Sequence, residues 1–380
     1  MSTESRRRIV LFGGGRWARV LLSVLNRVRP AETEILWVTK HSQAAAQNWL
    51  SDNPVENVQL TPDVDLQSAD ASAVIIATSP ESHFHLAEQS VKLGLPTLCE
   101  KPIAPDRRCV NELLDLSRKS RVPLGIHLEL LYASYLEDFA MRLRTDRDRS
   151  AEVRSVHIEW LDPWCEQRGD DTKYAEFYTD IVNDQFPHCW SILATIFPSA
   201  TSLQVHDVEL EGNNTSITGT CGPAVIRCRL SRRAASRVRR VIINEGEWVL
   251  DFSNEPGVVI HAGGIVVNQW NSDRPLSRSL TEFLLVSLDP RKAGNWRLSL
   301  TNSLPAIEAS LVAAARLQTI QDQWIQRRSL KFATDFADVH DVQLIVDRFV
   351  PEFAAKGLRL PVRTTKEQLE FARVWQSSRK

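Results

Sequence analysis

At 380 residues the chain is longer than one hydrophobic core usually supports, which predicts about two domains. Hydrophobic residues make up 43% and charged residues 24%, which excludes a disordered or membrane-embedded chain, and a net charge of −1 supplies no field to attract nucleic acid or a membrane surface. Six scattered cysteines without CxxC spacing suit reduced thiols, and "MSTESRRR" lacks the apolar stretch of a signal peptide, so a cytoplasmic location is expected.

The first third alternates apolar runs with helical patterns. "RIVLFG" (8–13), "EILWVTK" (34–40), "NVQL" (57–60), "SAVIIAT" (72–78), "PTLCE" (96–100) and "VPLGIHL" (122–128) read as strands. Helices are expected at 18–28, 42–51, 83–94 and 106–120. Continuously apolar strands alternating with helices predict a doubly wound parallel sheet covered on both faces, assigned to a domain over 1–128.

Beyond about residue 150 strands follow one another: 153–162, 201–212, 215–220, 224–231, 240–253 and 257–264, with a helix near 176–197 between them. Such a run predicts an α+β domain over 129–380 built on a large, mostly antiparallel open sheet. A strong helix at 306–328 is expected to pack back on the first domain, and 335–380 reads as helical without a motif. An apolar sheet face left open would allow a homodimer or homotetramer.

"GGGRWA" sets Gly13, Gly15 and Ala18 in the G-x-G-x-x-A spacing between a strand and a helix, with Arg16 and Trp17 inside the turn. Such a turn brings backbone N–H groups and a helix amino terminus to a pyrophosphate, which predicts a dinucleotide site. The second strand then ends in Thr39, Lys40 and His41, without the acid that accepts from the ribose hydroxyls of NAD. A hydroxyl and an ammonium suit the extra phosphate of NADP, so NADP(H) is favoured and NAD is the alternative.

"LCEKPIAPD" (98–106) follows a buried-strand pattern with a carboxylate and an ammonium. Taken alone, Glu100 and Lys101 are an exposed pair of little energetic worth. At a strand end beside a phosphate loop, however, Lys101 can meet negative charge developing on a substrate oxygen, and Pro102 stiffens its mount. Asp184 and His188, four apart, share a helix face, although Pro187 interrupts the pattern. A carboxylate there can orient the imidazole for proton transfer. His83 and His85 lack a third ligand, so no metal site is expected. His127, Glu129 and Tyr132 follow the last parallel strand and are candidate substrate contacts or packing residues, and the Trp-rich "EWLDPWCEQ" (159–167) is a candidate apolar wall.

The loop at 13–18, "VIIATSPESHFHLA" (74–87), "LGLPTLCEKPIA" (93–104) and "DQFPH" (184–188), in that order, resemble the Gfo/Idh/MocA (glucose-fructose oxidoreductase / inositol dehydrogenase) family of NAD(P)-dependent oxidoreductases. The resemblance implies that Lys101 contacts the reacting oxygen, His188 is the general acid/base, and Asp184 holds substrate or imidazole. It also implies that Thr78, Pro80 and His83 lie along the cofactor, with Glu100 beside the nicotinamide ribose. "GIHLELLYASY" (125–135) departs from the pattern of sugar-acting members. The expectation is therefore hydride transfer to or from a sugar, polyol or related small-molecule carbonyl. Imine reduction and a silent NADP-binding regulator are the alternatives; retention of Lys101 counts against the first, and retention of Lys101, Asp184 and His188 against the second.

Overall fold

The computed structural model describes residues 7–145, 152–168, 171–175, 179–198, 203–211, 214–261, 264–267 and 274–335. The chain begins with β1 (Arg8–Phe12), α1 (Arg16–Val28), β2 (Glu34–Val38), α2 (Gln43–Asp52), β3 (Val58–Thr61), β4 (Ala73–Ile76), α3 (Pro80–Lys92), β5 (Thr97–Cys99), α4 (Arg107–Ser120) and β6 (Leu124–Ile126). The six strands form one parallel sheet in the order β3-β2-β1-β4-β5-β6, so the strand order reverses between β1 and β4. Every residue of β4, β5 and β6 is buried, as expected of strands covered on both faces. Local chemistry sets the helix ends: the Asp106 side chain accepts from the Cys109 N–H at 2.9 Å to start α4, and Arg121 ends it in the left-handed region at φ 56°.

A 3-10 turn (Glu129–Tyr132) and α5 (Ser134–Thr145) lead into β7 (Ser155–Pro163), β8 (Cys165–Arg168), β9 (Asp171–Tyr174), α6 (Ile181–Ile196), β10 (Leu203–Glu211), β11 (Asn214–Cys221), β12 (Ala224–Ala234), β13 (Val238–Ile243), β14 (Trp248–Asp251), β15 (Val258–His261) and β16 (Gly264–Val267). Then follow α7 (Pro275–Leu288), a 3-10 turn (Pro290–Asn295) and α8 (Leu300–Asp335). Eight strands make a second sheet in the order β10-β11-β12-β7-β13-β14-β15-β16, antiparallel except for the β12–β7 pair. The fold is thus a parallel Rossmann sheet followed by a large, mostly antiparallel one. The single strand expected over 240–253 is two, because Asn244, Glu245 and Gly246 turn through φ 47°, 59° and 108°. The candidate apolar wall at 159–167 falls on the end of β7, where Trp160 is buried, and on most of β8, with Trp164 between them exposed. Of the tail at 335–380, only Asp335, the last residue of α8, lies among the described residues.

By its internal contacts the chain divides into Met1–Glu137 with Trp270–Glu308, and Asp138–Gln269 with Ala309–Lys380. A boundary at 128 therefore misplaces 129–137 and the segment around α7. Packing gives the reason. Gly125 faces Trp296, whose ring leaves no room for a Cβ at that position, and the Ile126 N–H donates to Leu298 O at 2.9 Å. Arg278 on α7 donates to Tyr132 O at 2.6 Å and Arg297 donates to Leu131 O at 2.7 Å. The later segment completes the core of the first unit beside β6. Among the described residues no helix is long and apolar enough to cross a membrane.

Candidate active site

In the first unit the turn after β1 lies where the strand order reverses, the crevice in which open α/β sheets bind ligands. Gly13 has φ 128°, and a Cβ there would lie 2.3 Å from Ala77 O, so only glycine fits. Its N–H donates to Val38 O at 2.9 Å and its carbonyl accepts from Trp37 Nε1 at 2.6 Å. Gly15 opens α1 and faces open space, and no side chain caps the helix. Arg16 and Trp17 are the first helical residues and Ala18 is buried. These residues fit a dinucleotide pyrophosphate: a turn without side chains, open space and an uncapped helix amino terminus. Thr39 is buried at the end of β2, whereas Lys40 and His41 are exposed.

Lys101 stands just past the carboxyl end of β5, and the Lys101–Pro102 peptide is cis. His83 on α3 is enclosed between two carbonyls of this region, with Nδ1 2.8 Å from Pro102 O and Nε2 3.0 Å from Thr78 O. It thereby ties the loop after β4 to the loop after β5. Burial lowers its pKa, against the pull of the two carbonyls, which favour the protonated ring. The Thr78 and Ser82 hydroxyls meet at 2.6 Å, and Pro80 occupies the first turn of α3. His83 and Thr78 thus have internal partners beside the expected cofactor loop.

Glu100 is buried and held from two sides. Trp17 Nε1 donates to its Oε1 at 2.5 Å and His127 Nδ1 donates to the same oxygen at 2.7 Å. His127 Nε2 lies 3.0 Å from Ser279 Oγ, whose own hydrogen goes to Leu276 O at 2.9 Å, so Nε2 donates as well. Two donating nitrogens define an imidazolium. Burial alone would lower the His127 pKa and raise that of Glu100. The attraction between them wins on both sides, raising His127 and lowering Glu100. Glu129 is partly buried, and its burial raises its pKa. Tyr132 is buried with the Arg297 guanidinium 5.3 Å from its ring centre. Of the three candidate substrate contacts, His127 and Tyr132 are enclosed within the first unit and Glu129 is partly buried.

In the second unit α6 opens on Asp180, whose side chain accepts from the Asn183 N–H at 2.8 Å. Asp184 lies in the first turn and Pro187 inside the helix. Asp184 Oδ2 accepts from Arg232 Nη2 at 2.9 Å, and Arg232, fully buried on β12, also donates to Thr179 O at 2.7 Å. His188 lies flat on Trp160 of β7, with ring centres 4.6 Å apart and planes within 8°. Arg239, paired across from Trp160 on β13, places its guanidinium 3.9 Å from the same ring and donates to Asp162 Oδ1 at 2.7 Å. Burial pushes the Asp162 carboxyl up, but Arg239 and Lys173 outweigh it and hold it below the ordinary range. Trp160 and Asp162 were flagged only as part of the stretch 159–167, and Lys173, Arg232, Arg239 and, in the first unit, Ser279 were not singled out from the sequence as site residues. Alternation along β7 and β12 could have flagged the inward-facing charges, since a charge at an apolar position needs a partner.

Residues 7–127 match the family model described as "Oxidoreductase family, NAD-binding Rossmann fold" (GFO_IDH_MocA). No curated protein matches the chain in sequence. Among solved structures it is similar to UDP-N-acetylglucosamine 3-dehydrogenase GnnA from Acidithiobacillus ferrooxidans (17% identity, TM-score 0.61, covering 81% of this chain and 97% of that one). It is also similar to a Gfo/Idh/MocA family oxidoreductase from Vibrio cholerae (17%, 0.60, 83% and 99%). A third likeness is to a mutant of KijD10, a 3-ketoreductase from Actinomadura kijaniata in complex with TDP-benzene and NADP (14%, 0.65, 81% and 97%). At these identities the structural likenesses establish the fold. The matched domain and its glycine turn define an NAD(P)-binding oxidoreductase. What the match assigns to the Gfo/Idh/MocA oxidoreductase family is this amino-terminal NAD-binding domain, residues 7–127.

Proposed function

We propose that the chain transfers a hydride between NADP(H) and a carbon of a sugar, polyol or related carbonyl compound. The nicotinamide supplies or accepts the hydride when bound. Lys101 places a positive charge toward the substrate oxygen, where negative charge develops in reduction, and His188 gives or takes the proton. The observation that carries this reading is the clamp on Glu100. A buried carboxylate fixed by Trp17 and His127 immobilises the residue directly before Lys101, so the lysine projects from a rigid strand end.

The cofactor preference rests on the end of β2, where exposed Lys40 follows buried Thr39 without an adjacent acid. The likeness to a ketoreductase solved with NADP, and to a dehydrogenase named for a sugar nucleotide, supports the same reading. The test is NADPH oxidation over a panel of sugar and polyol carbonyls. Lys101→Ala should lower kcat about a hundredfold or more while leaving the NADPH Kd within about twofold, the loss expected of an electrostatic catalyst. An unchanged kcat would refute the role of Lys101, and NADPH binding without turnover across the panel would refute the enzyme reading.

A further inference from the structure

The second unit holds a cavity of about 120 Å3 between the start of α6, β12 and the β8–β9 hairpin, lined in part by Asp162, Glu166, Lys173, Asp184, Gln185 and Arg232. Three carboxylates and two cations line it, and guanidiniums behind the wall complete the pairing. Each carboxylate has a guanidinium of its own: Asp162 with Arg239 at 2.7 Å, Glu166 with Arg168 at 2.7 Å, and Asp184 with Arg232 at 2.9 Å. Asp180, next in sequence to this group, turns both carboxylate oxygens toward Asn183. Lys173 is the cation left over. Among the described residues Asp162 and Asp184 attract it while Arg168 and Arg239 repel it, and the ion-pair partner, Asp162 Oδ2 at 3.8 Å, is beyond hydrogen-bond reach and already accepts from Gln185 Nε2 at 3.2 Å.

Gln185 gives a second, independent indication. Its amide nitrogen donates to Asp162 Oδ2 and to Ser231 O at 3.1 Å, which fixes the amide's orientation because both partners are acceptors. The buried Oε1 is left without a donor among the described residues. A buried acceptor is normally satisfied, and Gln185 lines the cavity, so a hydroxyl that reached this oxygen would supply its missing donor. Arg232 offers the cavity little, because its terminal nitrogens are engaged by Thr179 O, Asp180 O and Asp184.

We infer that this cavity is an anion subsite, in which Lys173 holds a carboxylate or phosphate of a hydroxylated substrate and Gln185 Oε1 accepts from a hydroxyl beside it. This rests on the oxidoreductase reading for its link to catalysis and sharpens the substrate class from sugars in general to acid-bearing ones. The lysine's state agrees with that role. Burial lowers its pKa against the pull of Asp162, and an anion arriving at the amine restores the charged form.

The test is equilibrium binding, followed by tryptophan fluorescence and calorimetry, with gluconate, glucose 6-phosphate, neutral glucose and inorganic phosphate as probes. Wild type, Lys173→Met and Lys173→Arg are compared, with far-UV circular dichroism to confirm folding. Gluconate or glucose 6-phosphate should bind wild type roughly ten- to a hundredfold tighter than glucose, the range of one hydrogen bond to a charged group. Lys173→Met should abolish that difference and Lys173→Arg should keep part of it. The two acids tell carboxylate from phosphate. Inorganic phosphate binding as tightly as glucose 6-phosphate would overturn the hydroxyl contact. Equal affinity for gluconate, glucose 6-phosphate and glucose, or a Lys173→Met variant that still discriminates, would overturn the subsite. NADPH titrated in parallel separates the two readings: loss of acid discrimination with NADPH bound overturns this inference alone, whereas acid discrimination without NADPH binding supports the subsite and overturns the cofactor reading.

Discussion

Replacing His127 by leucine tests whether the Glu100 clamp is an ion pair. Both groups are nearly enclosed, with side-chain exposures of 1% for His127 and 11% for Glu100. Removing the imidazolium leaves a buried carboxylate with the Trp17 N–H and the more distant pull of Lys101 among the described residues, a loss of about 3–5 kcal/mol for a broken buried pair. The pH dependence follows from the two shifts. His127 is raised, so its contribution is fully present below the unfolded histidine value near ~6.5 and is lost as pH rises through the folded value. Glu100 is lowered, so its contribution is present above the unfolded value near ~4.3 and is lost as pH falls through the folded one. The cost of His127→Leu is therefore greatest between about pH 4.5 and 6.5 and shrinks toward pH 9. Urea unfolding of wild type and variant, followed by circular dichroism at pH 6 and pH 9, measures it. A cost below about 1 kcal/mol at pH 6, or one that grows with pH, would refute the imidazolium assignment.

Gly13→Ala should abolish NADPH binding and cost roughly 1–3 kcal/mol of stability, because the new Cβ meets Ala77 O at a positive φ; NADPH fluorescence titration and urea unfolding check it, and wild-type values in both would refute the turn argument. Lys40→Ala should weaken NADPH about ten- to a hundredfold and NADH within about twofold; comparable losses for both cofactors would remove the case for NADP. Arg232→Lys should behave as a disruptive change, since an ammonium cannot span Thr179 O, Asp180 O and Asp184 from a fully buried position. The expected result is a loss of about 2 kcal/mol or more in urea unfolding, with the Lys variant no better than Arg232→Met; retention of wild-type stability by Arg232→Lys would refute it.

The parallel sheet was legible because its strands are apolar throughout and separated by helix-patterned segments, so one property, periodicity, carried both element type and connection. "AVII" at 73–76 is buried at every position, as its composition implies. The elements without that signature are α5 and α7. "SYLEDFAMRLRT" and "PLSRSLTEFLLVSL" carry helical spacing but lie outside the strand-helix alternation that organised the reading. The same limit hid the return of 274–308 to the first unit, because a segment that joins a sheet edge through Ile126 and Leu298 carries no local mark of its distant partner. At the site, the glycine turn and the mount of Lys101 were readable from spacing. The partners of His127 and Asp184 were not. Ser279 and Arg232 lie 152 and 48 residues from His127 and Asp184, and nothing in their own neighbourhoods names those partners.

In each unit the carboxylate beside a proposed reacting group is fixed by an ion pair to a buried cation, with Glu100 enclosed and Asp184 about a third exposed. Glu100 is fixed by His127 and Trp17 in the first unit, and Asp184 is fixed by Arg232 in the second. A buried ion pair contributes little net stability, because desolvation consumes most of the attraction. Its geometric effect does not cancel in that way: the partners must keep their hydrogen bonds or leave a charge exposed to a low dielectric, so the side chains they hold lose conformational freedom. Lys101 follows Glu100 directly, and His188 stands one helical turn beyond Asp184. Both proposed proton-handling groups thus project from backbone whose neighbouring carboxylate is pinned, which confines the reacting side chains before any ligand arrives. The exception is Lys173, whose ammonium has no hydrogen-bonded carboxylate among the described residues. A cation left unpinned where every neighbouring carboxylate is matched has interaction energy available for a ligand.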